Sequence, residues 1–129
     1  MKIINTKFKD LKIIKHNSFK DKRGYLRITH NQKIINKKFT FEYCTTSKKN
    51  SLRGFHFQYK FQQAKYVTVL KGKILDCVID LRSKSKTFGR IFSILLKQNL
   101  HYFDKLILLV GNFVVFFLTL FYFLQLQPL

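Results

Sequence analysis

Apolar and polar positions alternate in short runs along most of this chain, and no long stretch repeats at the three-to-four spacing of an amphipathic helix. Lys2-Ile3-Ile4 and Leu11-Lys12-Ile13-Ile14 read as short strands. Asp21-Lys22-Arg23-Gly24-Tyr25 reads as a turn, with Gly24 free to take positive φ. Phe39 to Thr46 is rich in aromatic and β-branched residues and is closed by the polar loop Ser47-Lys48-Lys49-Asn50-Ser51. Ala64 to Leu70 and Lys73 to Leu81, separated by Lys71-Gly72, predict an antiparallel hairpin with the glycine at its turn. In its second strand, period two puts Asp76, Val78, Asp80 and Arg82 on one face and Leu75, Cys77, Ile79 and Leu81 on the other, which reads as core. Asp80 and Arg82 are then a same-face ion pair with a structural role. Arg82 to Gly89 is a polar turn region, and Ile91 to Leu96 is a further strand. No internal repeat is present and the single proline is at position 128, so the pattern predicts a mostly β domain of sandwich or barrel type.

The pattern changes near residue 106. From Leu106 to Leu124 there is no charged residue, and that length falls within the roughly 17 to 25 residues that cross a bilayer as a helix. Gly111, Asn112, Thr119 and the heavy phenylalanine content count against a membrane span, as does the start of the run where a barrel strand is due. The chain therefore divides into a β domain over residues 1–105 and an apolar tail over 106–129. The tail reads as degraded final strands or an altered reading frame, ahead of a membrane segment.

Composition adds one strong constraint. Lys and Arg number 25 against 6 acidic residues, giving a net charge of +19, well beyond the magnitude of about 2 to 8 that suits a small soluble domain. Such a field attracts polyanions, nucleic acid and anionic membranes among them. Lysine, however, is scattered through every segment instead of being gathered on one helix or arm, which reads as a lysine-rich surface with no specific nucleic-acid groove. A phosphate-bearing small substrate also gains from the field. A length of 129 residues suits one core. Cys44 and Cys77 lie far apart without metal-ligand spacing, and with no signal-like apolar run at the start both read as reduced thiols.

The candidate chemistry lies in Ser51-Leu52-Arg53-Gly54-Phe55-His56-Phe57-Gln58 and the following Gln63-Ala64-Lys65. His56 interrupts an apolar and aromatic strand, Leu52 to Phe57, with a side chain whose ordinary pKa lies near neutrality. Arg53 is a fixed cation suited to phosphate or carboxylate, and Lys65 opens the next strand as a charge in a segment otherwise made for burial. A base, a cation for a developing oxyanion and an anion clamp together equip a site for removing a proton beside a carbonyl. A transition-metal site would gain from a second histidine two residues after the first, whereas this chain has Gln58 there, a poor ligand for transition metals.

Leu52-Arg53-Gly54-Phe55-His56-Phe57-Gln58, Gln63-Ala64-Lys65-Tyr66-Val67, Val69-Leu70-Lys71-Gly72, Asp76 to Arg82 and Ser85-Lys86-Thr87-Phe88-Gly89 together resemble the dTDP-4-dehydrorhamnose 3,5-epimerase family, in order and at family-like spacing. Asp21 to Tyr25 resembles the family's N-terminal substrate-contact turn. The resemblance implies an all-β, cupin-like jelly roll incomplete at its C-terminus, a dTDP-sugar substrate, a homodimer, a cytoplasmic location, and neither metal nor other cofactor. It implies that His56 is the base at C3 and C5 of the sugar and that Lys65 stabilises the enolate at the C4 oxygen. Arg53 and Arg23 correspond to the substrate and diphosphate contacts.

The departures from the family pattern are substantial, the largest being in the tail. Ile28 stands where the family carries a glutamate, and Phe41-Glu42-Tyr43 replaces a Gln-Asp-Asn segment. Leu109 to Leu118 matches a run like Ile-Pro-x-Gly-Phe-Ala-His-Gly-Phe-Leu at scattered positions, with Val115 in place of the substrate-binding histidine. The resemblance assigns no residue of this chain to the family's tyrosine acid or to the aspartate that orients the base. The expectation is thus the first half of a two-part epimerase site. The reading of a different class is a noncatalytic basic β domain that binds nucleic acid or anionic membrane through its charge and its apolar tail.

Overall fold

A computed structural model describes residues 2–35, 39–40, 42–54, 56, 64–98, 102–108 and 115–122. Phe41, Phe55, Phe57, Gln58, Gln63, Leu109–Val114 and Leu124, which figured in the motifs and the tail, lie outside them. The described residues form nine strands and one short helical turn. These are β1 (Lys2–Asn5), β2 (Leu11–Asp21), β3 (Gly24–Arg27), α1 (Gln32–Ile35), β4 (Leu52–Arg53), β5 (Lys65–Thr68), β6 (Lys73–Asp80), β7 (Ile91–Lys97), β8 (Tyr102–Leu108) and β9 (Val115–Tyr122).

The strands make two sheets. One runs β1-β2-β8-β5 with β3 also paired to β2, and the other runs β4-β9-β6-β7. Every described pairing is antiparallel. The two sheets face each other across one apolar core. Phe8, Leu11, Ile13 and Val67 pack there from the first sheet and its turns, and Ile74, Val78, Phe92, Ile94 and Leu96 from the second. Phe8 and Phe92 meet edge to face with centroids 5.8 Å apart, joining the sheets through an aromatic pair. A smaller cluster covers the outer side of the first sheet, where Ile35 and Phe39 pack on Ile14 and Tyr66.

Two sequence expectations require correction. The stretch Ala64 to Leu81 is not a hairpin. β5 pairs with β8 and β6 pairs with β7 and β9, so the chain crosses from one sheet to the other around Gly72, whose φ is 84°. Alternation and a turn glycine mark where strands end, but the same signals serve a sandwich crossover and a hairpin. The core face of β6 is also not the wholly apolar one. Ile74, Asp76, Val78 and Asp80 are all buried toward the sandwich, while Leu75 and Ile79 on the other face are only half-buried.

The apolar stretch after residue 105 supplies the end of β8 and the whole of β9, each an inner strand of its sheet. Among the described residues, no helix is long and apolar enough to cross a membrane.

The expected ion pair of Asp80 and Arg82 is present at 2.7 Å and belongs to a larger knot. The Asp80 carboxylate accepts from Ser85 Oγ and Thr87 Oγ1 at 2.6 Å each, and from the Arg82 backbone N–H at 3.0 Å. Arg82 also donates to the Lys9 carbonyl at 3.3 Å and approaches Asp10 to 3.8 Å. The polar turn after β6 is thereby fastened to the turn between β1 and β2, which closes one end of the sandwich.

Candidate active site

β4 and β5 flank the connection that bears His56, and they belong to different sheets. That connection therefore carries the chain across from one sheet to the other. Arg53 pairs with Thr119 of β9, and Thr119 pairs in turn with Asp76 of β6. Residues in one antiparallel pairing row share a sheet face, so Arg53 and Asp76 lie on the same face two strands apart, about 10 Å between Cα atoms. Asp76 is 0% exposed on the face turned to the opposing sheet.

Lys65 comes from that opposing sheet. It pairs with Leu108 of β8, which pairs with Leu11 of β2, and its next same-face neighbour Val67 packs against the core. The half-buried Lys65 thus faces the space between the sheets in an otherwise apolar row. Tyr66 points to the other side. Its hydroxyl donates to the Thr29 carbonyl at 2.9 Å and lies 3.3 Å from His16 Nε2. With the single phenol proton on Thr29, His16 is the donor in the second contact. This network fastens the segment around Thr29 to the back of β5, beside the strand's opening lysine.

The electrostatics of the inter-sheet space are unusual. Burial lowers the pKa of the Lys65 ammonium, and the Asp76 carboxylate opposes that fall. Burial raises Asp76 to about 7, against the opposing pull of the Cys77 backbone N–H and, more weakly, of Lys65. Neither carboxylate oxygen of Asp76 has a hydrogen-bond partner among the described residues. Burial and the Asp76 charge together push up the thiol of Cys77 behind it. An ionisable side chain sealed from water without a hydrogen-bond partner is costly, and such groups cluster where chemistry needs them.

The remaining predicted site residues sit as follows. Arg53 is exposed and donates to the Thr46 carbonyl at 3.2 Å. Gly54 follows with φ of 116°, a conformation that side-chain-bearing residues rarely adopt, and leads the chain away from β4. His56 is exposed on the connection and lies outside any strand, contrary to the expected run from Leu52 to Phe57. Arg23 occupies the tip of the β2–β3 hairpin, where its guanidinium pairs with Asp21 at 2.7 Å. Leu11, in the same row as Lys65, is ten residues of extended chain from Asp21, so Arg23 lies roughly 30 Å along β2 from that row. One chain brings Arg53 and Lys65 to the inter-sheet space with His56 on the link between their strands, and it leaves Arg23 apart.

Sequence reasoning did not foresee that Asp76 is buried. The signal available was its alternation with Val78 and Asp80, but an acidic residue in a half-polar row is ordinarily assigned to solvent.

The family model for dTDP-4-dehydrorhamnose 3,5-epimerase matches residues 5–109. The chain belongs to this family. It is 37% identical over 97 residues to the dTDP-4-dehydrorhamnose 3,5-epimerase of Salmonella typhimurium, covering 70% of this chain and 53% of that protein. The chain thus spans about half the length of that relative. The structure resembles that of dTDP-4-dehydrorhamnose 3,5-epimerase from Bacillus anthracis with TDP and PPi bound, at a TM-score of 0.67 and 26% identity, covering 96% of this chain and 79% of that one. It also resembles that of dTDP-6-deoxy-D-glucose-3,5-epimerase from Legionella pneumophila in complex with dTDP-4-keto-L-rhamnose, at a TM-score of 0.65 and 26% identity, covering 95% and 73%. The two facing antiparallel sheets are accordingly the cupin-like jelly roll of the epimerases. These relatives give no support to the reading as a noncatalytic nucleic-acid or membrane-binding domain.

Proposed function

We propose that this protein is a sugar-nucleotide 3,5-epimerase acting on dTDP-4-dehydro-6-deoxyglucose in deoxysugar synthesis of the dTDP-rhamnose type. The observation that carries the reading is Lys65, a cation held half-buried between two sheets, with Arg53 on the facing sheet and His56 on the link between their strands. His56 takes the proton from the carbon beside the C4 carbonyl. The C–H bond breaks, its electron pair becomes the enolate, and the charge that collects on the C4 oxygen meets the Lys65 ammonium. Return of a proton on the opposite face inverts the centre, once at C3 and once at C5. Arg53 is suited to hold the substrate's diphosphate, because a guanidinium offers several fixed donors and, among the described residues, its bond to the backbone is the one to Thr46.

The same reading places the protein in the cytoplasm, in keeping with two free thiols at Cys44 and Cys77. It also makes the protein a homodimer. The support is the β2–β3 hairpin, which leaves β8 beyond Asn17 and exposes Phe19, Leu26 and Ile28 while carrying Arg23 away from its own chain's Lys65. A second copy receiving that hairpin acquires an arginine for its diphosphate contact.

The deciding experiment is incubation of the dTDP-4-dehydro sugar with the protein in D₂O, beside a His56→Ala variant. Deuterium is expected at C3 and C5 with the unaltered chain and not with the variant. A folded, unaltered protein that leaves both positions unlabelled overturns the assignment.

A further inference from the structure

We infer that Tyr66 is a positioning residue for Lys65: its phenol, bonded on the outer side of the first sheet, fixes the short strand that the lysine opens. The inference rests on the assignment of Lys65 made above and deepens it with a residue that acts through the ammonium.

The starting point is how little holds β5. It has four residues, lies at the edge of its sheet, and among the described residues pairs with β8 alone. Lys65 is its first residue, directly after the connection that crosses from the other sheet. Strand ends and edges open most readily, because few backbone bonds and contacts resist the motion. An oxyanion stabiliser tolerates little of it, since a displacement of about 1 Å at an active site can cost on the order of 10²-fold in rate. A restraint beyond the ladder is therefore of direct use to residue 65.

Tyr66 supplies one. Period two turns its side chain to the face opposite Lys65. There the hydroxyl donates to the Thr29 carbonyl at 2.9 Å and accepts from His16 Nε2 at 3.3 Å. His16 is buried and belongs to β2, so the phenol reaches past β8 and ties the edge strand to the strand beyond it. The ring is held as well, with His30 at 5.9 Å and Phe39 at 5.7 Å between centroids, and with Ile35 and Phe39 closing over Ile14 beside it. Thr68, the other outward residue of β5, gives no comparable anchor, because its buried hydroxyl has no hydrogen-bond partner among the described residues. Val67, turned inward, packs against the core through contacts that have no directional preference. The phenol thus places a directional restraint on β5 one residue from the ammonium.

The test compares Tyr66→Phe, which keeps the ring and removes the hydroxyl, with Ile35→Ala, which loosens the same cluster and leaves both bonds in place. By NMR, the backbone amides of β5 are expected to exchange about tenfold faster relative to those of β6 in Tyr66→Phe, and not in Ile35→Ala. With the dTDP-4-dehydro sugar in D₂O, Tyr66→Phe is expected to label C3 and C5 about tenfold more slowly at saturating sugar and to keep KM within about twofold, because Lys65 meets charge that appears only in the transition state. Ile35→Ala is expected to lower the melting temperature and keep the rate. Added to Lys65→Met, Tyr66→Phe is expected to slow labelling no further, since its effect passes through the lysine. Unmoved β5 amides or an unmoved rate in Tyr66→Phe overturns the inference. So does an equal slowing by Ile35→Ala, which marks general loosening, or the same loss in the Lys65→Met background, which marks an action independent of the lysine. An unaltered protein that labels neither carbon rejects the reaction instead, and the β5 amides then decide separately whether the phenol anchors the strand.

Discussion

A carboxyl group enclosed between two sheets makes stability depend on pH in a direction opposite to that of most acidic residues. The pKa of Asp76 in the folded protein is about 7, against an ordinary value of 3.8. Below about pH 4 the group is protonated in both folded and unfolded chains and carries no penalty. As pH rises toward 7 the unfolded chain loses the proton while the folded chain retains it, so stability falls, and above 7 the penalty is complete. Asp76→Asn should therefore raise the free energy of unfolding near about pH 8, by on the order of a few kcal/mol at most, and leave it nearly unchanged near about pH 4. Urea unfolding at the two pH values checks this. Lys65 is expected to matter to rate and not to stability. Lys65→Met should slow deuterium exchange at C3 and C5 by about 10²- to 10³-fold while the circular dichroism spectrum is retained.

Among the elements, the closed end of the sandwich depends on the knot around Asp80. Burial pushes the Asp80 carboxyl up, but the hydrogen bonds from Ser85, Thr87 and Arg82 hold it below the ordinary value. Its contribution to stability is accordingly present above about pH 4 and is lost as pH falls through the lowered folded-state value, the reverse of Asp76. Asp80→Asn should cost about 3 kcal/mol at neutral pH, because it leaves Arg82 buried without its main partner, and chemical denaturation is the measurement. The ends of several strands were legible in the sequence. β1 and the start of β2, the turn at Gly24, β5, β6 and β7 all follow from alternation and turn residues. Their partners were not legible. Alternation states that a run is a strand but not which strand lies beside it, and so a predicted hairpin at Gly72 proved to be a crossing between sheets.

For the whole molecule, a net charge of +19 on 129 residues means that folding brings like charges together. Raising sodium chloride from about 0.01 M to about 0.15 M shortens the screening length from about 30 Å to about 8 Å, so the melting temperature should rise over that range. A melting temperature that falls instead, in differential scanning fluorimetry, indicates that attractive pairs outweigh the repulsion. At this scale the division between sequence and structure is clear. The sequence by itself determined the β class and the family, because each depends on local alternation or on short ordered motifs such as Arg53-Gly54-Phe55-His56. Only the tertiary structure decided that β5 and β6 lie in opposite sheets, that Arg53 and Asp76 share a row through β9, and that Arg23 stands far from Lys65. The physical reason is that strand register and sheet packing arise between segments distant in the chain. Whether an aspartate faces water or an opposing lysine is settled by that packing and by nothing in its own neighbours.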